Sequence, residues 1–247
     1  MLKNQAVNPS DVFVSFDASW SGTGWAICTS EGPVRSGRKR LPGAESEGQA
    51  TRARAVQAWL QELEVEVREV VQELQASTGK VSRVRVVIER IPWVYGDRGN
   101  QAAIGFGQGR LVGMLEWWGT RNGWASVWLL PSLDEAPDPP RKRKTADVRP
   151  TWPPTPADVL EQLRRQSRPT EPIWHGWRPW WGIRGARARA KATAIRLVRA
   201  NGWGAHLEGL AETPADSPPA GDVAEAILMG VGAARHPGYA PTDRGAA

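Results

Sequence analysis

Two short apolar runs constrain this chain more than anything else in it. Val12-Phe13-Val14-Ser15-Phe16 and Val84-Arg85-Val86-Val87-Ile88 are rich in β-branched residues, and each ends in a carboxylate, Asp17 and Glu89. Such residues favour strands, and the first run is apolar enough for the centre of a sheet. Burying an unpaired charge costs several kcal/mol or forces it neutral, so an acid there calls for a partner, often a metal. A turn aspartate bonding its own backbone is the other reading of Asp17. Small residues follow (Ala18, Ser19, Ser21, Gly22, Gly24), and then a second apolar run, Trp25-Ala26-Ile27-Cys28.

The pattern predicts strands over 11–17, 24–30 and 33–38, the last two joined by a turn at Ser30-Glu31-Gly32-Pro33. From Glu47 to Ala76, apolar residues at Val56, Trp59, Leu60, Leu63, Val67, Val70, Val71 and Leu74 recur every three or four positions. That spacing makes one buried helical stripe, stopped by Ser77-Thr78-Gly79-Lys80. A strand over 84–89 follows, then a helix over 100–119 in which Gly105, Gly109 and Gly113 leave one face bare, and a strand over 126–130. Each such glycine weakens a helix by about 1 kcal/mol, which predicts close approach of another backbone.

Between 131 and 183 the periodicity lapses. The segment holds eleven of the chain's 20 prolines, the run RKRK at 141–144, WHGWRPWW at 174–181 and one expected helix, 156–166. Helices are expected again over 187–201 and 221–234. The order implies an α/β fold, a mixed five-stranded sheet with helices on its faces. The organisation expected is a core of 1–130 and 184–236, an insertion at 131–183 and a tail at 237–247.

Charge is uneven. Of the formal net charge of +6, the stretch Asp138–Arg189 carries +7, from twelve Lys/Arg against five Asp/Glu. A local surface for a polyanion follows, with a solvated face as the plainer alternative. No apolar run reaches the roughly 20 residues of a membrane span, and MLKNQAVNPS lacks the apolar core of a signal peptide, so a cytoplasmic protein is expected. One cysteine excludes an internal disulfide and a cysteine zinc site, and His175, His206 and His236 form no ligand pattern.

The last helix opens Gly221-Asp222-Val223-Ala224-Glu225-Ala226, with Asp222 and Glu225 one turn apart on one face. Alone, this pair reads as a helix cap and its capping-box acid. Together with Asp17 and Glu89 it makes four carboxylates in one domain, which repel strongly unless divalent cations sit among them. Oxygen-only ligands suit Mg²⁺ or Mn²⁺, and two such ions roughly 3.5–4 Å apart stabilise both oxygens of a phosphodiester displacement.

Strand–Asp17–turn–Thr23-Gly24, strand–Glu89, a glycine-rich helix, a helix carrying Ala190-Lys191-Ala192 and the start Asp222-x-x-Glu225-Ala226 resemble, in that order, the RuvC-type Holliday-junction resolvases of the RNase H-like nuclease superfamily. The likeness runs over 11–130 and 180–236, roughly 70% of the chain. It implies an RNase H-like fold and a metal-dependent endonuclease that resolves four-way DNA junctions as a homodimer. It also implies two Mg²⁺ or Mn²⁺ held by Asp17, Glu89, Asp222 and Glu225, with Lys191 as a phosphate or transition-state contact. Two departures stand out: the family's last acid is commonly Asp where this chain has Glu225, and about 50 extra residues precede the basic helix.

The resemblance also implies an aromatic wedge after the glutamate. Trp93 is near that position, with core packing as its alternative; Tyr95 is the second candidate. Arg98, Arg141, Lys142, Arg143, Lys144, Arg184, Arg187 and Lys191 complete the expected DNA contacts. Trp174, Trp177, Trp180 and Trp181 read as base-stacking residues or as a satellite core, the latter favoured because tryptophan is costly to expose. The insertion is expected to widen the DNA contact rather than serve chemistry. Three other functions remain at this stage: another RNase H-like nuclease (ribonuclease H, integrase-like or branched-DNA), a non-catalytic nucleic-acid-binding protein, and an actin-like phosphotransferase. The short chain and the lack of a second phosphate loop disfavour the last.

Overall fold

A computed structural model describes residues 11–19, 22–40, 49–80, 83–89, 99–129, 177–183, 187–210 and 219–236. In chain order the elements are β1 (Val12–Asp17), β2 (Gly22–Cys28), β3 (Pro33–Arg40), α1 (Gln49–Thr78), β4 (Val84–Glu89), α2 (Gly99–Arg121) and β5 (Ala125–Leu129). A short 3-10 turn (Arg178–Trp181), α3 (Arg187–Ala200), a second such turn (Gly204–Leu207) and α4 (Pro219–Arg235) complete them. The expected helix over 156–166 lies outside the described residues.

The strands form one sheet in the order β3-β2-β1-β4-β5. β1 pairs antiparallel with β2 and β2 with β3, whereas β1–β4 and β4–β5 are parallel. Three antiparallel strands continued by two parallel ones, with helices on both faces, make the mixed five-stranded α/β sheet that the sequence pattern implied. Because β1 and β4 are parallel neighbours, with Phe16 opposite Ile88, their terminal acids Asp17 and Glu89 emerge at the same edge.

Strand alternation divides the side chains between two layers. Val12, Val14, Phe16, Trp25, Ile27, Val86 and Ile88 face α1 and α2, meeting Val56, Trp59, Leu60, Leu63 and Val67 of α1 and Leu111, Leu115 and Trp118 of α2. Phe13, Ala26, Cys28, Val87, Val127 and Leu129 face α3 and α4. By the same alternation Ser15, Asp17, Gly24 and Glu89 belong to that second face.

α4 is buried on every side from Ala220 to Ala234. A helix that is apolar all round belongs in the interior, and here only Asp222 and Glu225 interrupt the apolar and small residues. The glycine-rich helix departs from expectation at one point: a Cβ built on Gly113 meets nothing within 4 Å, while one on Gly119 would meet Val86 at 2.9 Å. Gly119 lets α2 lie on the sheet; Gly113 has no such neighbour among the described residues. Among the described residues no helix is long and apolar enough to cross a membrane.

Candidate active site

Gly24 brings the acids together. It is registered opposite Asp17, and a Cβ there would collide with the backbone carbonyl of Asp222. Only a bare backbone lets the first turn of α4 rest against β2. Ser15 anchors the next turn, its hydroxyl donating to the Ala226 carbonyl at 2.6 Å, and Gly230 clears Ser15 Oγ and Cys28 Sγ. Asp222 and Glu225 are thereby carried over the ends of β1 and β4. The positive end of the α4 dipole adds favourable potential for these carboxylates.

Lys191, from α3, fills the middle of the group. Its fully buried Nζ donates to Asp17 Oδ2 at 2.8 Å and Asp222 Oδ1 at 2.5 Å, and lies 3.1 Å from Glu225 Oε2. Burial alone would lower the lysine pKa; the charges of Asp17, Glu225 and Asp222 outweigh it and raise the pKa well above the ordinary range. The ammonium therefore stays charged. Glu225 is pushed up to about 8, first by burial and then by Asp17, with Lys191 and Arg178 opposing. Four carboxylates against Lys191, Arg38 and Arg178 leave a formal excess of one negative charge, in line with the upward shift of Glu225.

Three partners in this group were not read from sequence as partners of the acids: Arg38 and Arg178 had no such role, and Trp177 was expected to stack on bases or to pack in a satellite core. The Trp177 indole N–H donates to Glu89 Oε1 at 2.8 Å, and Arg178 Nη2 donates to Glu225 Oε1 at 3.3 Å. Arg38, on the edge strand β3, donates through Nε to Asp222 Oδ2 at 2.8 Å. Its guanidinium crosses Gly22, where a Cβ would come within 2.5 Å of it. Gly22 in the turn after Asp17 is a signal that an arginine crosses there, but sequence does not say which one.

The structure gathers Asp17, Glu89, Asp222, Glu225 and Lys191 at one sheet edge. It corrects the capping-box reading: α4 begins at Pro219, so Asp222 already lies inside the helix and its carboxylate takes Lys191 and Arg38. Lys191 is turned inward onto acids rather than outward. Trp177 is fully buried in the core, and Trp180 and Trp181 pack beside it, which favours the satellite-core reading for these three. Trp93, Tyr95, Arg98, Arg141, Lys142, Arg143, Lys144, Trp174 and Arg184 lie outside the described residues. Arg187 lies in the first turn of α3.

The donor set suits Mg²⁺ or Mn²⁺ in kind, because all four ligands offered are carboxylate oxygens. Lys191 Nζ stands in for a cation at a point shared by three of them. Among the described residues no three acid, histidine or cysteine side chains converge directly into a metal-holding group. The ammonium, at 2.5–3.1 Å from its partners, spaces the acids more widely than the 2.0–2.1 Å coordination of Mg²⁺.

No family model matches the chain, and no curated protein matches it significantly. Among solved structures it is similar to Thermus thermophilus RuvC in complex with a Holliday junction substrate. The identity is 12% and the TM-score 0.45, over 91% of this chain and 94% of that one. It is also similar to a second Thermus thermophilus RuvC structure, at 15% identity and a TM-score of 0.42 over the same shares.

Proposed function

We propose that this chain is a metal-dependent, structure-selective DNA endonuclease that cuts four-way junctions by phosphodiester hydrolysis. One observation carries the reading: four carboxylates from β1, β4 and α4 meet around one buried lysine at the end of an RNase H-like sheet. Asp17, Glu89, Asp222 and Glu225 would hold two Mg²⁺ or Mn²⁺, which supply charge stabilisation to the attacking and leaving oxygens of the phosphodiester. Lys191 sets the spacing of three of these carboxylates, and Arg38 keeps Asp222 turned toward it.

Branched DNA is the substrate in this reading, with the basic residues 141–144 on its phosphates and Trp93 or Tyr95 at the crossover. Paired cuts on opposite strands call for two active sites, so the working form is a homodimer with two-fold symmetry. The open surface at Gly113 of α2, with the half-exposed Trp117 one turn on, is available to a second copy.

Lys191 also favours a second reading. An acid cluster neutralised from within is stable without metal, as a non-catalytic nucleic-acid-binding protein would require. One assay separates the two: cleavage of a mobile four-way junction, a linear duplex and an RNA–DNA hybrid, with Mg²⁺ and with chelator. Cutting confined to the junction, metal-dependent, and reduced about a hundredfold or more by Asp17→Asn with junction binding retained supports the endonuclease. Binding without cleavage of any substrate supports the second reading. Native-rate cleavage by Asp17→Asn means the active site is elsewhere.

A further inference from the structure

The end of the proline-rich insertion is built into the acid cluster. Trp177 and Ile183 are buried in the core on the α4 side, and the backbone between them closes on itself through Trp180 N–H to Trp177 O at 3.1 Å and Ile183 N–H to Arg178 O at 3.0 Å. Gly182 takes a φ of +66°, which lets the chain reverse there. Two contacts fasten the turn to α4. The Trp181 indole donates to the Leu228 carbonyl at 3.0 Å, and the Trp180 ring lies over Gly232, where a Cβ would come within 2.6 Å of it. A segment held at both ends and along its length places its side chains with little freedom.

What it places is a neutral donor on one acid and a cation on another. Lys191 holds Asp17, Asp222 and Glu225; Glu89 receives the Trp177 N–H, and Glu225 also receives Arg178. An indole N–H is a donor with one direction and no charge. It fixes which oxygen of Glu89 it engages, without reducing the group's negative charge. A lysine at that point would compete with a divalent cation, whereas the indole does not.

We infer that Trp177 is a positioning residue for Glu89, through which the insertion sets the divalent-cation affinity of the site. The inference rests on the metal-dependent reading above. The partners that orient ligand side chains typically control metal affinity by 10–100-fold, and Trp177→Phe removes the donor without changing charge.

The experiment is Mn²⁺ binding by calorimetry to the full chain, paired with urea denaturation of each metal-free variant. Trp177→Phe is expected to weaken Mn²⁺ binding about tenfold or more, and that effect to vanish in the Glu89→Gln background, since the indole acts through that carboxylate. Trp181→Phe deletes another indole N–H of the same segment, away from the acids, and should leave the affinity as it was. Trp177→Met, a flexible filler of the same pocket, carries the test if the phenylalanine variant does not fold. Unchanged affinity in the Trp177 variants, or equal weakening by Trp177→Phe and Trp181→Phe, overturns the inference. A wild-type chain that binds no Mn²⁺ overturns instead the metal-dependent reading beneath it.

Discussion

The two faces of the sheet are lined by the same strands, yet one is apolar packing and the other carries nearly all of the buried charge. Toward α1 and α2, Phe16 meets Trp59 and Trp118 edge-on at 6.0 Å, and Trp118 meets Trp124 at 4.9 Å, amid leucine and valine. Beneath the first two turns of α4 the residues of β1 and β2 are small, Ser15, Gly24 and Ala26, and the helix lies close enough to bring Asp222 and Glu225 onto Asp17 and Lys191. Bulk on one face makes cohesion. Its absence beneath the start of α4 makes room for an acid cluster. Deleting volume should damage the first face, and unbalancing charge should damage the second.

Lys191→Ala gives the largest expected effect. Removing one partner from a buried ion group costs about 3–5 kcal/mol, because the carboxylates left behind are uncompensated. Leu63→Ala on the opposite face should cost about 2–5 kcal/mol through its cavity. Urea denaturation with and without Mg²⁺ separates them: the cation should restore part of the stability lost by Lys191→Ala and none of that lost by Leu63→Ala. Equal recovery, or none in either, would erase the distinction between the faces.

Next in size is a pH effect confined to the α4 face. With Glu225 raised from the ordinary 4.5 to about 8, the folded protein keeps a proton that the unfolded chain releases across that interval. The contribution of Glu225 to the stability of the metal-free protein is therefore fully present below about pH 4.5 and is lost as pH rises toward 8. Urea midpoints at pH 5 and pH 8 measure the fall. Glu225→Gln should flatten it, and Mg²⁺ should do the same by replacing the proton as counter-charge.

Cys28 gives the smallest effect. Burial against α4 pushes its thiol up from 9.0 to about 12, so a thiol reagent at pH 8 should modify the native protein no faster than it unfolds. Cys28→Ala should cost only about 1 kcal/mol. Fast labelling of the folded chain would mean that α4 does not lie flush on β2.

Much of this arrangement was legible because it is local. The acids ending β1 and β4, the stripe of α1 and its stop after Thr78, and the acid pair opening α4 all follow from residue type and spacing. The parallel pairing of β1 with β4 then puts two of those acids side by side. Capping chemistry was misleading at Asp222, since a +3 acid pair serves a cap and a buried ligand pair equally well. α4 itself held the better clue: fifteen consecutive buried residues with only two charges among them put those charges inside the protein.

The partners of the acids belong to the tertiary structure. Arg38 lies 184 positions from Asp222, Trp177 lies 88 from Glu89, and Lys191 lies 174 from Asp17. No periodicity spans such separations, because side-chain spacing reports only which way a residue faces along its own helix or strand. Sequence alone therefore determined that carboxylates would end the central strands and open the last helix. Which cations and donors meet them was decided by packing, through the bare backbones of Gly22, Gly24 and Gly232 that let an arginine, a helix and a tryptophan approach where any Cβ would stand in the way.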